Sequence, residues 1–238
     1  MHIGVITYQR SHLKTLQLVT KLLVREYKIT LYTFPFRHRP AKAKKSLDLG
    51  FADRPPQLVD FDLEAFCRRY KIGIVEVPGW EDGCDRLLDE GKPDVYLTCI
   101  AKIIPKTFIE GRIILNAHPG MLPYNRGVDA FKWSILNDWP VGVTLHVINE
   151  HIDHGTILRA CKVPIFENDT LRQVADRSYE VEIDLLANFE QYLHSVDSGE
   201  KVSDDYPLSR RQISTAHDTE LEQIFNRKRN TFIEKSQY

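Results

Sequence analysis

The stretch "HIGVITYQRSHLKTLQLVTKLLVREYKITLYTF", residues 2–34, decides the fold class. His2 to Tyr8 form a short β-rich run, and Ser11 stands where a helix cap would. Leu13, Leu16, Leu18, Leu22 and Leu23 then fall near helical spacing before "YKITLYTF" returns to strand character. A β-α-β opening of this kind commits the chain to a sheet with crossover helices. The alternation continues: "DLEAFCRRY" reads as helix, "KIGIVEVP" as strand, "CDRLLDEG" as helix, and "PDVYLTCIA" and "GRIILN" as strands. Beyond Gly127, "VDAFKWSILND" reads as helix, "VGVTLHVI" and "TILRACKVPI" as strands, and Leu171 to Leu193 as one long amphipathic helix. The expectation is an α/β fold: a Rossmann-like, mostly parallel twisted sheet with helices on both faces, plus a small C-terminal extension. Its domains are expected at 1–197, the core, and 198–238, a polar extension closed by the helix "TELEQIFNRKRNTFIE".

The chain has 238 residues and 42% hydrophobic content, enough for one principal core. Its 32 basic and 33 acidic side chains leave a net charge of -1, so no global field draws it to nucleic acid or to an anionic membrane. Cys67, Cys84, Cys99 and Cys161 form no C-x-x-C pair and read as reduced core residues of a cytoplasmic protein. No run approaches the length of a membrane span, and "MHIGVITY" turns into polar "QRSHLK" without the pattern of an export leader. The segment "FRHRPAKAKKSLDLGFADRPPQ", residues 36–57, reads as a solvated surface loop; the sharper alternative puts Arg37, His38, Arg39 and Lys42 on a phosphate-binding rim.

The first turn, "TYQRSHLK", contains no glycine. Both the dinucleotide fingerprint and the P-loop need glycine there for the backbone to approach a phosphate, so neither is present. The stretch "NAHPGMLPYNRG", Asn116 to Gly127, breaks an apolar strand with prolines and glycines. Open α/β sheets bind ligands beyond the carboxyl ends of their strands, and "IILN" delivers Asn116 to such an end. In an extended chain His118, two residues on, shares its face, and Pro119 biases it away from helix. A carboxamide can donate to a developing oxyanion, and an imidazole can take a proton or, once charged, steady that oxyanion. A carboxylate is needed to orient the ring; Glu150 and Asp153 in "INEHIDHG" are the candidates, and Asp153 is the better placed. Each residue alone is more often a turn former or a satisfied structural group. His146, His151, Asp153 and His154 cluster in sequence, but their spacing matches no zinc pattern and no metal site is expected.

Three separated elements in order, "NAHPGMLPYNRG", "VDAFKWSILND" and "GVTLHVINEHIDHGTIL", resemble the folate-dependent formyltransferases over roughly Asp94 to Cys161. That resemblance implies 10-formyltetrahydrofolate as formyl donor, a primary amine as acceptor, and Asn116, His118 and Asp153 as the catalytic set. Asn116 and His118 would hold the oxyanion, His118 would take or relay the amine proton, and Asp153 would orient His118. It also implies a pterin cleft between Ile100, Ala101, Lys102, Ile103 and Ile104 on one side and Ile148, Glu150, His151 and Ile152 on the other. Plain core packing is the competing reading of the isoleucines.

Within the family, the glycine-free first turn departs from the glycinamide ribonucleotide enzymes, and the short tail and charge balance depart from the methionyl-tRNA enzymes. The short nucleotide-sugar N-formyltransferases remain, with a nucleotide-linked amino sugar as substrate, no nucleic acid or membrane partner, and a homodimer admitted. Arg210 and Arg211 would then either reach a pyrophosphate or be simply solvated. The competing functions are formylation of another amine, hydrolysis of the folate, and folate binding by a non-catalytic relative.

Overall fold

The computed structural model describes residues 1–36, 59–81, 83–203, 205, 209–211, 213 and 215–237. The 36–57 segment, with Arg37, His38, Arg39 and Lys42, lies almost wholly outside them. Eight strands stand in the order β3-β2-β1-β4-β5-β6-β7-β8: β1 (His2–Tyr8), β2 (Lys28–Phe34), β3 (Gly73–Glu76), β4 (Val95–Thr98), β5 (Ile114–His118), β6 (Gly142–Ile148), β7 (Gly155–Lys162) and β8 (Glu200–Lys201). β1 pairs in parallel with β2 and β4, β2 with β3, and β4 with β5, whereas β7 and β8 run antiparallel. The 3-2-1-4-5 order of the parallel strands is that of a doubly wound sheet, as expected from the alternating sequence.

The helices are α1 (Leu13–Leu23), α2 (Leu63–Tyr70), α3 (Lys106–Ile109), α4 (Ala130–Leu136), α5 (Leu171–Ala187) and α6 (Thr215–Gln237). "CDRLLDEG" winds as a 3-10 turn, Cys84–Asp89, rather than an α-helix. The helix expected to reach Leu193 stops at Ala187, and a 3-10 segment, Phe189–Ser195, completes the run. Its start is set by a capping box in which Thr170 and Gln173 satisfy each other's backbone N–H.

The described residues divide into two compact units. The first holds residues 1–36, 59–116 and 147–150; the second holds 117–146 and 151–237, including β8 and α6 from the polar tail. In the first, β1 is buried along its whole length, which accounts for its unbroken apolar run. Phe34 stacks on Trp80 with centroids 3.9 Å apart, and Phe108 meets Trp80 edge-on at 5.0 Å. The Tyr96 hydroxyl donates to the Leu88 carbonyl at 2.5 Å, and burial pushes that phenol up to about 12. In the second unit, Phe225 and Phe232 of α6 are buried, and Lys235 meets the Asp138 carboxylate at 3.0 Å.

The cap of α1 is His12, not Ser11. His12 Nδ1 accepts from the Thr15 N–H at 3.1 Å, while the Ser11 hydroxyl donates to the Phe61 carbonyl at 2.6 Å. The side chain within reach of an orphan N–H takes the cap, and Ser11 is drawn off by a more distant partner. His12 is 3% exposed, and burial lowers its pKa to about 4 from the usual 6.5. A depressed folded-state value means that the unfolded chain binds the extra proton between pH 6.5 and 4, so stability is present above 6.5 and drains as pH falls. Stability should drop by roughly 2 kcal/mol between pH 7 and pH 5. Urea unfolding at the two pH values checks this, and His12→Asn, which keeps an acceptor without titrating, should flatten that part of the dependence.

Candidate active site

β5 ends on Asn116, Ala117 and His118. The β4–β5 register, Tyr96 with Ile114 and Leu97 with Leu115, brings Thr98 beside Asn116, and the Thr98 hydroxyl donates to Asn116 Oδ1 at 2.8 Å. With its oxygen engaged, the carboxamide turns its Nδ2 end into the remaining donor.

In the second unit His118 is 3% exposed, with each ring nitrogen beside an acceptor. Nδ1 lies 3.3 Å from Asp153 Oδ1, and Nε2 lies 2.8 Å from the Asn125 carbonyl. The two contacts hold the ring from both of its nitrogen edges. Asp153 occupies a left-handed conformation, φ 44°, in the turn between β6 and β7. Its second oxygen, Oδ2, accepts from the Gly127 N–H at 2.8 Å. Beside it, the Arg126 guanidinium donates to the Ile152 carbonyl through Nε at 3.1 Å and Nη2 at 2.9 Å. Arg126 and Gly127 therefore fasten this turn at two adjacent residues.

The loop carrying those donors is itself anchored. Asn125, 1% exposed, donates through Nδ2 to the Ala130 carbonyl at 2.6 Å and to the Ser134 hydroxyl at 2.9 Å, tying it to α4. Thr144 of β6 accepts from the Leu122 N–H at 3.1 Å and donates to the Gly120 carbonyl at 2.7 Å. Gly120 has no room for a side chain: a Cβ there would come within 2.7 Å of His118 Nε2 and 2.6 Å of the Asn125 carbonyl. The Leu122–Pro123 peptide is cis.

Ile100, Ala101, Lys102, Ile103 and Ile104 form the loop between β4 and α3, where the Ala101 N–H donates to the Tyr8 hydroxyl at 3.1 Å. Ile104 is buried in the first unit's core, with Ile100 and Ile148 packed against the same cluster, whereas Ile103 is 65% exposed. The ion pair of Lys106 with Glu150, 3.8 Å, brings the end of that loop to the 148–150 stretch. Core packing thus claims Ile104, whereas Ile103 in the first unit and Ile152 in the second are exposed. His151 and Ile152 group with the second unit, His151 meeting the His154 ring edge-on at 5.5 Å.

Arg210 is not an open cation. Its guanidinium lies between the rings of Trp133 and Trp139, 4.9 and 4.8 Å from their centroids. Asn116, His118 and Asp153 stand out in the sequence, whereas Thr98, Gly120, Asn125, Gly127 and Thr144, which contact them or the loop beside them, do not. Strand order could have found Thr98, which ends the strand beside β5. The others act through backbone atoms or close approach, which leave little trace in composition.

Residues 80–189 match the formyl transferase family model. The matched stretch takes in Asn116, His118 and Asp153. Among similar proteins, the methionyl-tRNA formyltransferase of Syntrophus aciditrophicus (strain SB) is 29% identical over 143 residues, 56% of this chain and 46% of that protein. The dTDP-4-amino-4,6-dideoxyglucose formyltransferase of Mycobacterium bovis is 37% identical over 82 residues, 34% of this chain and 35% of that protein. The matched stretch spans less than half the length of either relative. In fold, the chain is similar to the formyltransferase PseJ from Anoxybacillus kamchatkensis, with a TM-score of 0.57 at 18% identity over 100% of both chains. That structure is a complex with UDP-4,6-dideoxy-4-formamido-L-AltNAc and tetrahydrofolate.

The close approach at Gly120 has a measurable consequence. Gly120→Ala should destabilise the fold by about 1–3 kcal/mol, the usual cost of overpacking, and should displace the His118 ring. Urea unfolding and the His118 ring resonances in an NMR spectrum check the two effects; an unchanged ring signal in a folded variant contradicts the geometry.

Proposed function

We propose that the protein is an N-formyltransferase that moves the formyl group of 10-formyltetrahydrofolate to the primary amine of a nucleotide-linked amino-deoxy sugar, a step in surface polysaccharide synthesis. The observation that carries this reading is the contact of the buried His118 with Asp153, on a strand whose preceding polar residue, Asn116, is oriented by Thr98. The domain match supports formyl transfer as the reaction class.

The folate supplies an activated formyl carbon, and the chain's residues do the rest. Asn116 donates its Nδ2 hydrogen to the oxyanion that develops on the formyl oxygen. Asp153 fixes the His118 ring and balances its positive charge. His118 takes or relays the proton that the attacking amine loses as its new C–N bond forms, and the tetrahydrofolate nitrogen is protonated as its bond to the formyl carbon breaks. Because Nε2 rests on the Asn125 carbonyl, proton uptake there requires that contact to open. For the folate itself, the fit rests on the exposed Ile103 and the backbone of the 100–104 and 148–150 stretches, an apolar surface with polar edges suited to a flat heterocycle.

Two observations favour a sugar nucleotide as acceptor. The N-terminus of α1 is closed by His12, so the first turn is not arranged as a phosphate cradle. The sugar-modifying relatives, one by sequence and one by fold, supply the second. The methionyl-tRNA relative, matched over 56% of this chain, keeps tRNA as the competing acceptor.

The test is incubation with 10-formyltetrahydrofolate and a panel of nucleotide-linked amino sugars, with mass spectrometry reading the gain of one formyl group. Formylation of a panel member supports the proposal. Formylated methionyl-tRNA in a parallel reaction, with an untouched panel, overturns the acceptor class; folate deformylated without any acceptor indicates a hydrolase. His118→Asn and Asp153→Asn should each lower kcat by roughly 10²–10⁴-fold in a folded protein. Near-wild-type turnover in either variant contradicts the mechanism.

A further inference from the structure

Arg210 and its neighbours close over the loop that holds Asp153. The Arg210 N–H donates to the Arg126 carbonyl at 2.8 Å, and the Val128 N–H donates back to the Arg210 carbonyl at 3.1 Å, so the tail adds a one-residue parallel bridge at Gly127. Gly127, φ 98°, leaves no gap: a Cβ there would come within 2.3 Å of the Arg210 carbonyl oxygen and 2.5 Å of its nitrogen. The next bonds run the same way, with Trp133 Nε1 donating to the Arg211 carbonyl at 3.0 Å and the Ile213 N–H donating to Asp129 Oδ2 at 3.0 Å.

What holds Arg210 in this place is its side chain, stacked between the indoles of Trp133 and Trp139. Its Nε is buried with no hydrogen-bond partner among the described residues, so stacking on the two rings, and not an ion pair at Nε, is the visible hold. The bridge fixes the peptide planes on both sides of Gly127. The Gly127 N–H, bracketed by them, is the donor to Asp153 Oδ2, and Asp153 Oδ1 faces His118 Nδ1.

We infer that Arg210 is a positioning residue: clamped between Trp133 and Trp139, it aims the Gly127 N–H at Asp153 and so sets the carboxylate that orients His118. This deepens the formyltransferase reading and rests on it. Arg210 touches none of the reacting atoms, so its loss should act on turnover more than on substrate affinity. A displacement of about 1 Å in a catalytic group typically costs on the order of 10²-fold in rate.

The test compares Arg210→Ala, Arg210→Lys and Trp139→Leu with the wild type in two ways. The first is the hydrogen-exchange rate of the Gly127 amide, read by NMR in the 15N-labelled protein. The second is kcat and KM for formyl transfer. In Arg210→Ala the Gly127 amide should exchange at least about tenfold faster, and kcat should fall roughly 10–100-fold with KM nearly unchanged. Arg210→Lys keeps a cation between the rings and should recover most of both; Trp139→Leu, which removes one ring face, should fall between.

Because the Gly127 N–H bonds to Asp153 and not to the tail, a tail that merely packs would leave its exchange rate unmoved. A folded Arg210→Ala with wild-type Gly127 exchange overturns the inference, whatever its activity. A rise confined to KM overturns it too. A wild type inactive on every amine overturns the formyltransferase reading instead, while the exchange rates still decide whether Arg210 positions Asp153.

Discussion

The second unit is organised around one carboxylate with both oxygens committed. Asp153 offers Oδ1 to His118 Nδ1 and Oδ2 to the Gly127 N–H. A single bond would leave the carboxylate able to rotate about its Cβ–Cγ axis; two bonds to groups on different segments remove that freedom. The left-handed backbone at Asp153 and the glycine two residues later make the turn tight enough to present the side chain. The loop from Gly120 to Gly127 is correspondingly crowded, because it must bring the Asn125 carbonyl to one edge of the ring and the Gly127 N–H to the carboxylate on the other.

Burial makes these contacts consequential. His118 is almost sealed from water, and a hydrogen bond in such surroundings is electrostatically stronger, while an unmet one is costlier, than at the surface. Most of the supporting groups are neutral: two hydroxyls, a carboxamide and a backbone amide, drawn from Thr98, Thr144, Asn125 and Gly127. Arg126, the charged member, spends two of its donors on the Ile152 carbonyl.

Much of this was legible in the sequence. A β-α-β opening, alternating strands and helices, and an apolar run broken after "IILN" were enough to place β1, α1, β2 and β5 and to single out Asn116, His118 and Asp153. The failures have physical causes. Ser11 has the side chain of a good cap, but local propensity does not reveal that Phe61 offers it a partner and that His12 reaches Thr15. The helix from Leu171 keeps its apolar period past Ala187, where the backbone tightens to a 3-10 geometry that periodicity barely separates from α. Arg210 read as a solvated or phosphate-seeking cation because the two indoles beside it are remote in sequence.

The central claim is that His118 and Asp153 act as one unit in formyl transfer. A double-mutant cycle on kcat tests it most directly, using His118→Asn, Asp153→Ala and the pair together on the acceptor that the mass assay identifies. If Asp153 works through His118, the double variant should be about as impaired as His118→Asn alone, because residues acting as a unit are strongly non-additive. Losses that simply multiply would show two independent contributions and contradict the account.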